Sequence, residues 1–249
     1  MLRLSRPAAR AFAAHSRALS SLGTLYTAPG TPSPDTVHMF LHEASATDLV
    51  TMEKTNINKA ANRAGDFLAK INPMGEVPAL ALADGTLLAE SLVICRYIDA
   101  VRTQGAGSSL TGETDAERAQ TDMWAARVES KLLTPLFYAV RCGPLAKFFA
   151  DRTPGYIHPE MSEPMGVAAK AGYAWVDAQL AADGRSFLCG ERFTIADVRL
   201  YVNYQFLSKV HKAMVLDEQA HPALAAYLAR IGSRASAAAI LPPPRKPRA

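Results

Sequence analysis

Cysteine is scarce in this chain of 249 residues, which holds only Cys95, Cys142 and Cys189. No Cys-x-x-Cys pair and no cluster of Cys and His with zinc spacing occurs, so we expect neither a disulfide scaffold nor a metal cofactor. A sparse, odd number of thiols is typical of a reducing compartment. Cys95 lies in an apolar helical pattern and is interpreted as a buried residue, while Cys142 and Cys189 remain candidates for reactive thiols.

Long apolar runs are missing as well, although 49% of the residues are hydrophobic. A membrane-spanning helix needs about 18 or more consecutive apolar residues, so no membrane span is expected. A chain of this length is long enough to bury a sizeable core, as one large domain or two smaller ones.

Acidic residues are absent before Asp35, whereas residues 1–21 contain four Arg and residues 241–249 contain three basic side chains among prolines. The remaining 20 of the 27 Lys and Arg are outnumbered by 23 Asp and Glu. The basic pI therefore comes from the two ends, and we expect no nucleic-acid partner. Residues 1–21 are rich in Arg, Ala and Ser, which is typical of a mitochondrial targeting segment. The alternative is a retained basic arm on a cytoplasmic protein.

Residues 22–102 alternate between strand and helix patterns. A strand is predicted at 24–27 and a helix after it, with Ser33 as N-cap and Pro34 as the first helical residue. Apolar residues three and four apart predict the buried face of this helix. They are Val37, Phe40, Leu41 and Ala44. A weak strand at 49–52 and a loop with a short helix at 54–71 follow.

A hairpin is predicted next, because Asp84-Gly85 separates the apolar runs 79–82 and 86–88. Ser91 then begins a helix. This order of strands and helices fits a thioredoxin-like α/β domain over residues 22–102.

The rest of the chain shows helical periodicity only. Residues 103–113, rich in Thr, Gly and Ser, are predicted to link the first domain to an all-α domain over residues 114–240. The predicted apolar faces are Leu133/Leu136/Phe137/Val140, Ala171/Ala174/Trp175/Ala178, Val198/Tyr201/Val202 and Leu224/Tyr227/Leu228/Ile231.

Two motifs about 120 residues apart carry a family resemblance. The first is Asn72-Pro-Met-Gly-Glu-Val-Pro78 with Ala89-Glu90-Ser91, and the second is Phe193-Thr-Ile-Ala-Asp197. In this order they resemble the glutathione transferase superfamily, of the serine/threonine type and close to bacterial-type members. The resemblance runs from about residue 25 to about residue 236. It implies the fold described above, with a thioredoxin-like domain followed by a helical domain.

The resemblance also implies a binding site for glutathione as co-substrate. A cis Val77-Pro78 bond would turn the Val77 backbone outward to pair with the cysteinyl backbone of glutathione. Ser91 and the helix N-terminus would bind the γ-glutamyl carboxylate, and Glu90 the ammonium group. Simple turn and capping roles are the structural alternatives.

A donor to the glutathione thiolate is expected just ahead of the first helix. In the serine type it lies six residues before the Val of the apolar face, which here is Thr31. Ser33 is the second candidate, since it is expected to be occupied as N-cap. The negative charge of Asp35 nearby is unfavourable for a forming thiolate.

An electrophile pocket between the domains is expected from the first helix of the second domain, with Met123, Trp124 and Arg127 as its lining. Core packing is the alternative for Trp124. Thr194 and Asp197 are interpreted as a structural cap of a capping-box type, not as catalytic residues.

Three functions remain open, and the first is favoured because the Val77-Pro78 and Glu90-Ser91 motifs are intact. The first is an enzyme that conjugates glutathione to a small electrophile, as in detoxification, in a homodimer typical of the family. The second is a structural subunit of a larger mitochondrial assembly with little or no catalysis. The third is glutathione-dependent isomerase or dehalogenase chemistry.

Overall fold

The computed structural model describes residues 21–103, 108–153 and 155–240. The predicted targeting segment, apart from Ser21, and the tail 241–249 lie outside these residues. Four strands form one sheet in the order β2-β1-β3-β4, with β1 parallel to β2 and antiparallel to β3, and β3 antiparallel to β4. They are β1 (Gly23–Thr27), β2 (Thr51–Lys54), β3 (Ala79–Leu82) and β4 (Leu87–Ala89).

Helices surround this sheet and make up the second half of the described chain. In the first half they are α1 (Pro32–Glu43), α2 (Gly65–Lys70) and α3 (Ser91–Thr103). In the second half they are α4 (Asp115–Val128), α5 (Thr134–Cys142), α6 (Ala146–Ala150), α7 (Ser162–Ala181), α8 (Ile195–Val210), α9 (Pro222–Gly232) and α10 (Ala235–Ile240). A π-helical segment, Glu129–Leu133, joins α4 to α5. This arrangement confirms the predicted fold class.

Helix α1 begins two residues earlier than the sequence pattern predicts. Thr31 has extended backbone angles (φ −123°, ψ 147°) and occupies the N-cap position, so the prediction of Ser33 as N-cap is wrong. Pro32 can start the helix because its fixed φ suits the first turn, where its missing N–H would have no partner in any case. The second strand also differs, since Leu49 ends a 3₁₀ turn and β2 begins at Thr51.

The first core lies between the sheet and helices α1 and α3. Leu25 of β1 and Leu80 of β3 are opposite each other in the ladder, and both are fully buried. Val37, Phe40 and Leu41 of α1 pack against this layer, as the periodicity predicts. Three large side chains without exposed surface on one helix face hold α1, and with it the loop that precedes it, firmly on the sheet.

The second core fills the helical half. Its centre is made by α5, α7, α8 and α9, with Leu136, Val176 and Ile231 fully buried. The face predicted on α7 is wrong, because Ala171, Ala174 and Ala178 are exposed. The buried face instead carries Gly172, Tyr173, Val176 and Leu180. Alanine fits either face of a helix, so its periodicity misled the prediction.

The start of α8 joins the two cores. Ile195 packs in the first core, while Ala196 and Val198 pack in the second. The Asp197 carboxylate accepts hydrogen bonds from the N–H of Thr194 at 2.7 Å and of Leu188 at 2.9 Å. Thr194 and Asp197 therefore cap this helix. Among the described helices, none is both long and apolar enough to cross a bilayer.

Candidate functional site

A cavity of about 350 Å³ lies between the two halves of the structure. The first half contributes the N-terminal turn of α1, the segment 57–63 and the residues before β3. The second half contributes α5, α6 and α8. Its lining includes Thr31, Pro32, Ser33, Pro34, Asn58, Arg63, Glu76, Val77, Phe137, Arg141, Phe148, Phe149, Arg152 and Phe206. The two thiolate-donor candidates and the predicted backbone partner of glutathione thus share one wall.

The two donor candidates differ in how their hydroxyl groups are used. The Thr31 hydroxyl donates to the carbonyl of Ala28 at 2.6 Å. The Ser33 hydroxyl and N–H have no hydrogen-bond partner among the described residues. Because Pro32 and Pro34 have no N–H, Ser33 is the only residue in the first three of α1 that can offer an N–H donor. At this helix N-terminus the Ser33 hydroxyl is thus unbonded among the described residues, whereas the Thr31 hydroxyl is already bonded to Ala28.

The loop before α1 is held by buried polar side chains. The Asp35 carboxylate accepts from the Gly30 N–H at 3.0 and 3.2 Å. His38 places Nδ1 3.5 Å from that carboxylate and Nε2 2.8 Å from the Thr27 hydroxyl. These three side chains are buried, so they fix the conformation of residues 28–31. The carboxylate of Asp35 is thus engaged with the loop and with His38.

The segment before β3 presents unpaired backbone groups. The Val77-Pro78 bond is cis, as the resemblance implies. The Val77 N–H and C=O have no hydrogen-bond partner among the residues that the structure describes. Asn72 and Asn62 hold the preceding residues, since their side-chain amides donate to the carbonyls of Glu76 and Gly75. The arrangement leaves one residue, at the cavity wall, whose backbone can pair with an extended peptide.

Glu90 and Ser91 lie next to this segment but line a second depression. The pairing of Ala79 with Ala89 brings Pro78 and Glu90 to neighbouring positions at the end of the hairpin. Glu90 has a positive φ of 64° and turns the chain into α3, which begins at the buried Ser91. Their depression of about 420 Å³ also contains Arg96 and Asp122. A non-glycine residue with positive φ costs of order 1 kcal/mol or more and is often found at binding sites.

Met123, Trp124 and Arg127 do not line the cavity, which corrects their predicted place. Trp124 is 3% exposed and packs in the second core with its ring centroid 6.0 Å from that of Trp175. The Arg127 guanidinium lies 5.4 Å from the Trp124 ring, and Met123 is exposed. The second half of the chain lines the cavity with residues of α5, α6 and α8 instead.

Sequence reasoning missed the arginines and most of the phenylalanines of the lining. Arg63, Arg141 and Arg152 come from three separate segments, and only the fold brings them together. Phe137 lies on a predicted apolar helix face, and Arg141 follows it by one turn. The spacing of Phe137 and Arg141, four positions apart on a helix, was the one sequence signal that the two side chains lie next to each other.

The three cysteines are outside this cavity and buried. Burial raises the pKa of the Cys95 and Cys189 thiols, so neither forms a thiolate readily. In the described ranges, no group of three His, Cys, Asp or Glu side chains is arranged to hold a metal ion. The lining of the cavity offers hydroxyl, amide and guanidinium groups.

Family models match both halves of the chain. Residues 32–101 match the glutathione S-transferase N-terminal domain, and residues 162–230 match the glutathione S-transferase C-terminal domain. Glutathione S-transferase 2 of Saccharomyces cerevisiae is 31% identical over 224 residues, which cover 87% of this chain and 88% of the relative.

Solved structures agree with these matches. Gtt2 from Saccharomyces cerevisiae has a TM-score of 0.73 and 29% identity, covering 88% of this chain and 100% of that one. A glutathione transferase homolog from sulfitobacter, solved with bound glutathione, has a TM-score of 0.65 and 25% identity, covering 87% and 95%. Both domains and their order agree, and the chain belongs to the glutathione S-transferase family.

Proposed function

We propose that this protein is a glutathione transferase that joins the glutathione thiolate to a small electrophile. The observation that carries the proposal is the pair of unbonded donors of Ser33, its hydroxyl and its N–H, on the same cavity wall as the unpaired Val77 backbone. The two Ser33 donors suit a sulfur anion at a helix N-terminus. The N–H and C=O of Val77 suit the backbone of the peptide that carries this sulfur.

Thiolate stabilisation is the chemical task of Ser33. A free thiol has a pKa of about 8.5, and lowering it by two units requires about 2.7 kcal/mol of preference for the anion. Two hydrogen bonds to a charged sulfur, together with the positive end of the α1 dipole, can supply a free energy of this size. The proton lost from the thiol passes to solvent.

Other residues of the first half would bind the remaining groups of the tripeptide. The Val77 backbone would pair with the cysteinyl residue, while Ser91 and the N-terminus of α3 would bind the γ-glutamyl carboxylate. Glu90 would face the ammonium group, and Arg63 would face the glycyl carboxylate. The solved sulfitobacter homolog with bound glutathione supports glutathione as the co-substrate.

Removal of the Ser33 hydroxyl tests this assignment. We expect Ser33→Ala to lower kcat about tenfold to a hundredfold, because one hydrogen bond to a charged sulfur is lost. The apparent pKa of the bound thiol, measured from thiolate absorbance against pH, should rise in the same variant. The dissociation constant for glutathione, measured by calorimetry, should change little.

The matched control is Thr31→Val, which removes a hydroxyl that is already bonded to Ala28. It should leave the pKa of the bound thiol unchanged. If Thr31→Val raises that pKa and Ser33→Ala does not, the roles of the two residues are reversed. If wild-type protein fails to bind glutathione, the proposed function is wrong.

A cellular location, an oligomeric state and a biological role are also proposed. The composition of residues 1–21 supports a mitochondrial location, and family membership supports a homodimer with a role in detoxification. The alternative to catalysis is a structural subunit of a larger mitochondrial assembly, favoured by the engaged hydroxyl of Thr31. A native mass of twice 26.7 kDa together with turnover supports the enzyme. A large complex without turnover supports the subunit.

A further inference from the structure

The far wall of the cavity combines aromatic rings with cations. The second half of the chain contributes Phe137 and Arg141 from α5, Phe148 and Phe149 from α6, and Arg152 just after it. Among the described residues that line this cavity, Glu76 is the only acidic one. An apolar cavity therefore carries an excess of positive charge on the side opposite Ser33.

Of the three arginines that line the cavity, Arg141 is the one without a hydrogen bond or ion pair to a described residue. Its guanidinium carbon lies 5.2 Å from the ring centroid of Phe137 and 4.9 Å from that of Phe149. It makes no ion pair with a described residue, and its Nε is buried without a hydrogen-bond partner. Stacking on the two ring faces holds the guanidinium plane but leaves its in-plane N–H donors unused.

Two other arginines of this structure pair with carboxylates, although Arg199 also keeps one buried nitrogen, Nη1, without a partner among the described residues. Arg199 pairs with Glu129 at 3.0 Å, and Arg102 pairs with Asp99 at 2.6 Å. A guanidinium held against aromatic rings in a cavity, with unused donors, resembles a site for a planar anion, because its fork of N–H groups matches a carboxylate.

Arg152 strengthens the positive potential from the adjacent segment. Its guanidinium lies 3.6 Å from the Phe148 ring centroid and donates to the carbonyl of Ile57 at 3.1 Å. Arg63 donates to the Arg152 carbonyl at 2.8 Å. Burial, and next the cation of Arg63, lower the pKa of Arg152.

We propose that Arg141 binds an anionic group on the electrophile, so that the preferred second substrates are aromatic acids rather than neutral aromatic compounds. The phenylalanine rings would pack against the aromatic ring of such a substrate, and the guanidinium would bind its carboxylate. This specificity rests on the proposed function. With an aryl chloride, the glutathione sulfur forms the new C–S bond and chloride leaves with the bonding pair, while the thiol proton passes to solvent.

Two sources of a carboxylate must be distinguished, since glutathione carries its own. The test compares 4-chloro-3,5-dinitrobenzoate with its methyl ester, each rate divided by that of the uncatalysed reaction with glutathione. For Arg141→Met we expect kcat/KM for the acid to fall about tenfold to a hundredfold, as for loss of a charged hydrogen bond. The ester and the dissociation constant for glutathione should change less than about twofold.

Arg127→Met is the matched control, because Arg127 also stacks on an aromatic ring but lies outside the cavity. It should leave both substrates unaffected. Arg141→Lys keeps the charge and should retain part of the preference for the acid, and its unfolding midpoint shows whether the site still folds. An equal loss for acid and ester overturns the proposal, and so does a loss of glutathione affinity, which would assign Arg141 to the tripeptide.

A binding measurement separates this proposal from the proposed transferase activity. Unreactive 3,5-dinitrobenzoate and its methyl ester are titrated into the wild type and Arg141→Met in the presence of glutathione. A preference for the acid that disappears in the variant supports the anion site even if no turnover is found. If the wild type does not prefer the acid, the anion site is wrong even where turnover is normal.

Discussion

Ser33 owes its availability to its neighbours in the first turn of α1. Pro32 and Pro34, on either side of it, have no backbone N–H to donate. The hydroxyl of Thr31 already donates to the carbonyl of Ala28. The carboxylate of Asp35, unfavourable for a thiolate on sequence alone, instead binds the Gly30 N–H and lies beside His38. A charge placed so close to the site is tolerable because it fixes the loop and is partly compensated by these partners.

Asp197 shows how one buried carboxylate can hold several elements. It accepts from two backbone N–H groups and from the hydroxyls of Tyr227, at 2.8 Å, and Thr194, at 3.0 Å. Burial raises the pKa of Tyr227 well above its usual range, with the charge of Asp197 adding to the effect, so the phenol stays protonated and donates.

Loss of that carboxylate should be costly. We expect Asp197→Ala to lower the free energy of unfolding by about 3 kcal/mol or more, because buried donors of Thr194 and Leu188 lose their acceptor. Tyr227→Phe removes a single donor and should cost about 1 kcal/mol. Urea unfolding followed by circular dichroism measures both. Equal losses in the two variants would contradict the central position given to the carboxylate.

The sequence predicted those features of the helices and strands that depend on residues close together in the chain. The face of α1, the hairpin at Asp84-Gly85 and the cap of α8 are local features, and each is present. The face of α7 and the lining of the cavity are not local. The π-helical turn Glu129–Leu133, which joins α4 to the cavity-lining α5, has no sequence signal.

Helix α7 approaches this π-helical segment very closely at Gly172. A Cβ added to Gly172 would lie 2.4 Å from the Lys131 carbonyl oxygen and 3.0 Å from Leu132 Cα. Both are backbone atoms, so the helices would have to separate. The absence of a side chain at Gly172, rather than the predicted face of alanines, therefore allows α7 to pack this closely.

The change Gly172→Ala should therefore destabilise the protein by about 1–3 kcal/mol, the usual cost of overpacking. Gly166→Ala on the same helix is the control. There the added Cβ meets only the flexible end of Met214, 3.2 Å away. Since alanine favours a helix by about 0.5–1 kcal/mol over glycine, this control should be neutral or stabilising. Thermal unfolding midpoints distinguish the two, and equal effects would contradict the close approach.

At the scale of the whole molecule, the cavity depends on how firmly the two halves are joined. Ile195 of the second half packs in the first core, and its N–H donates to the Leu110 carbonyl. At the other end, Glu43 closes α1 against the C-terminal helix α10. Its carboxylate accepts from Ser236 at 2.6 Å and from Arg234 at 3.0 Å. These contacts link residues far apart in sequence, so no local pattern indicates them.

This last contact should make the stability depend on pH. Burial of the Glu43 carboxyl raises its pKa, but the hydrogen bonds from Arg234 and Ser236 outweigh that effect and hold the pKa below its ordinary value. An acid with a lowered pKa in the folded state stabilises the fold above its unfolded pKa of 4.5. That contribution is lost as the pH falls from there through the lowered value.

We therefore expect Glu43→Gln to lower the free energy of unfolding at pH 7 by about 1 kcal/mol, with partial exposure reducing the full value of a charged hydrogen bond. The difference from wild type should shrink as the pH falls below 4.5, because protonated Glu43 then resembles the variant. Asp66→Asn, which breaks an exposed pair with Lys70, is the control and should have no measurable effect. If the Glu43→Gln difference is the same at all pH values, packing rather than charge joins α1 to α10.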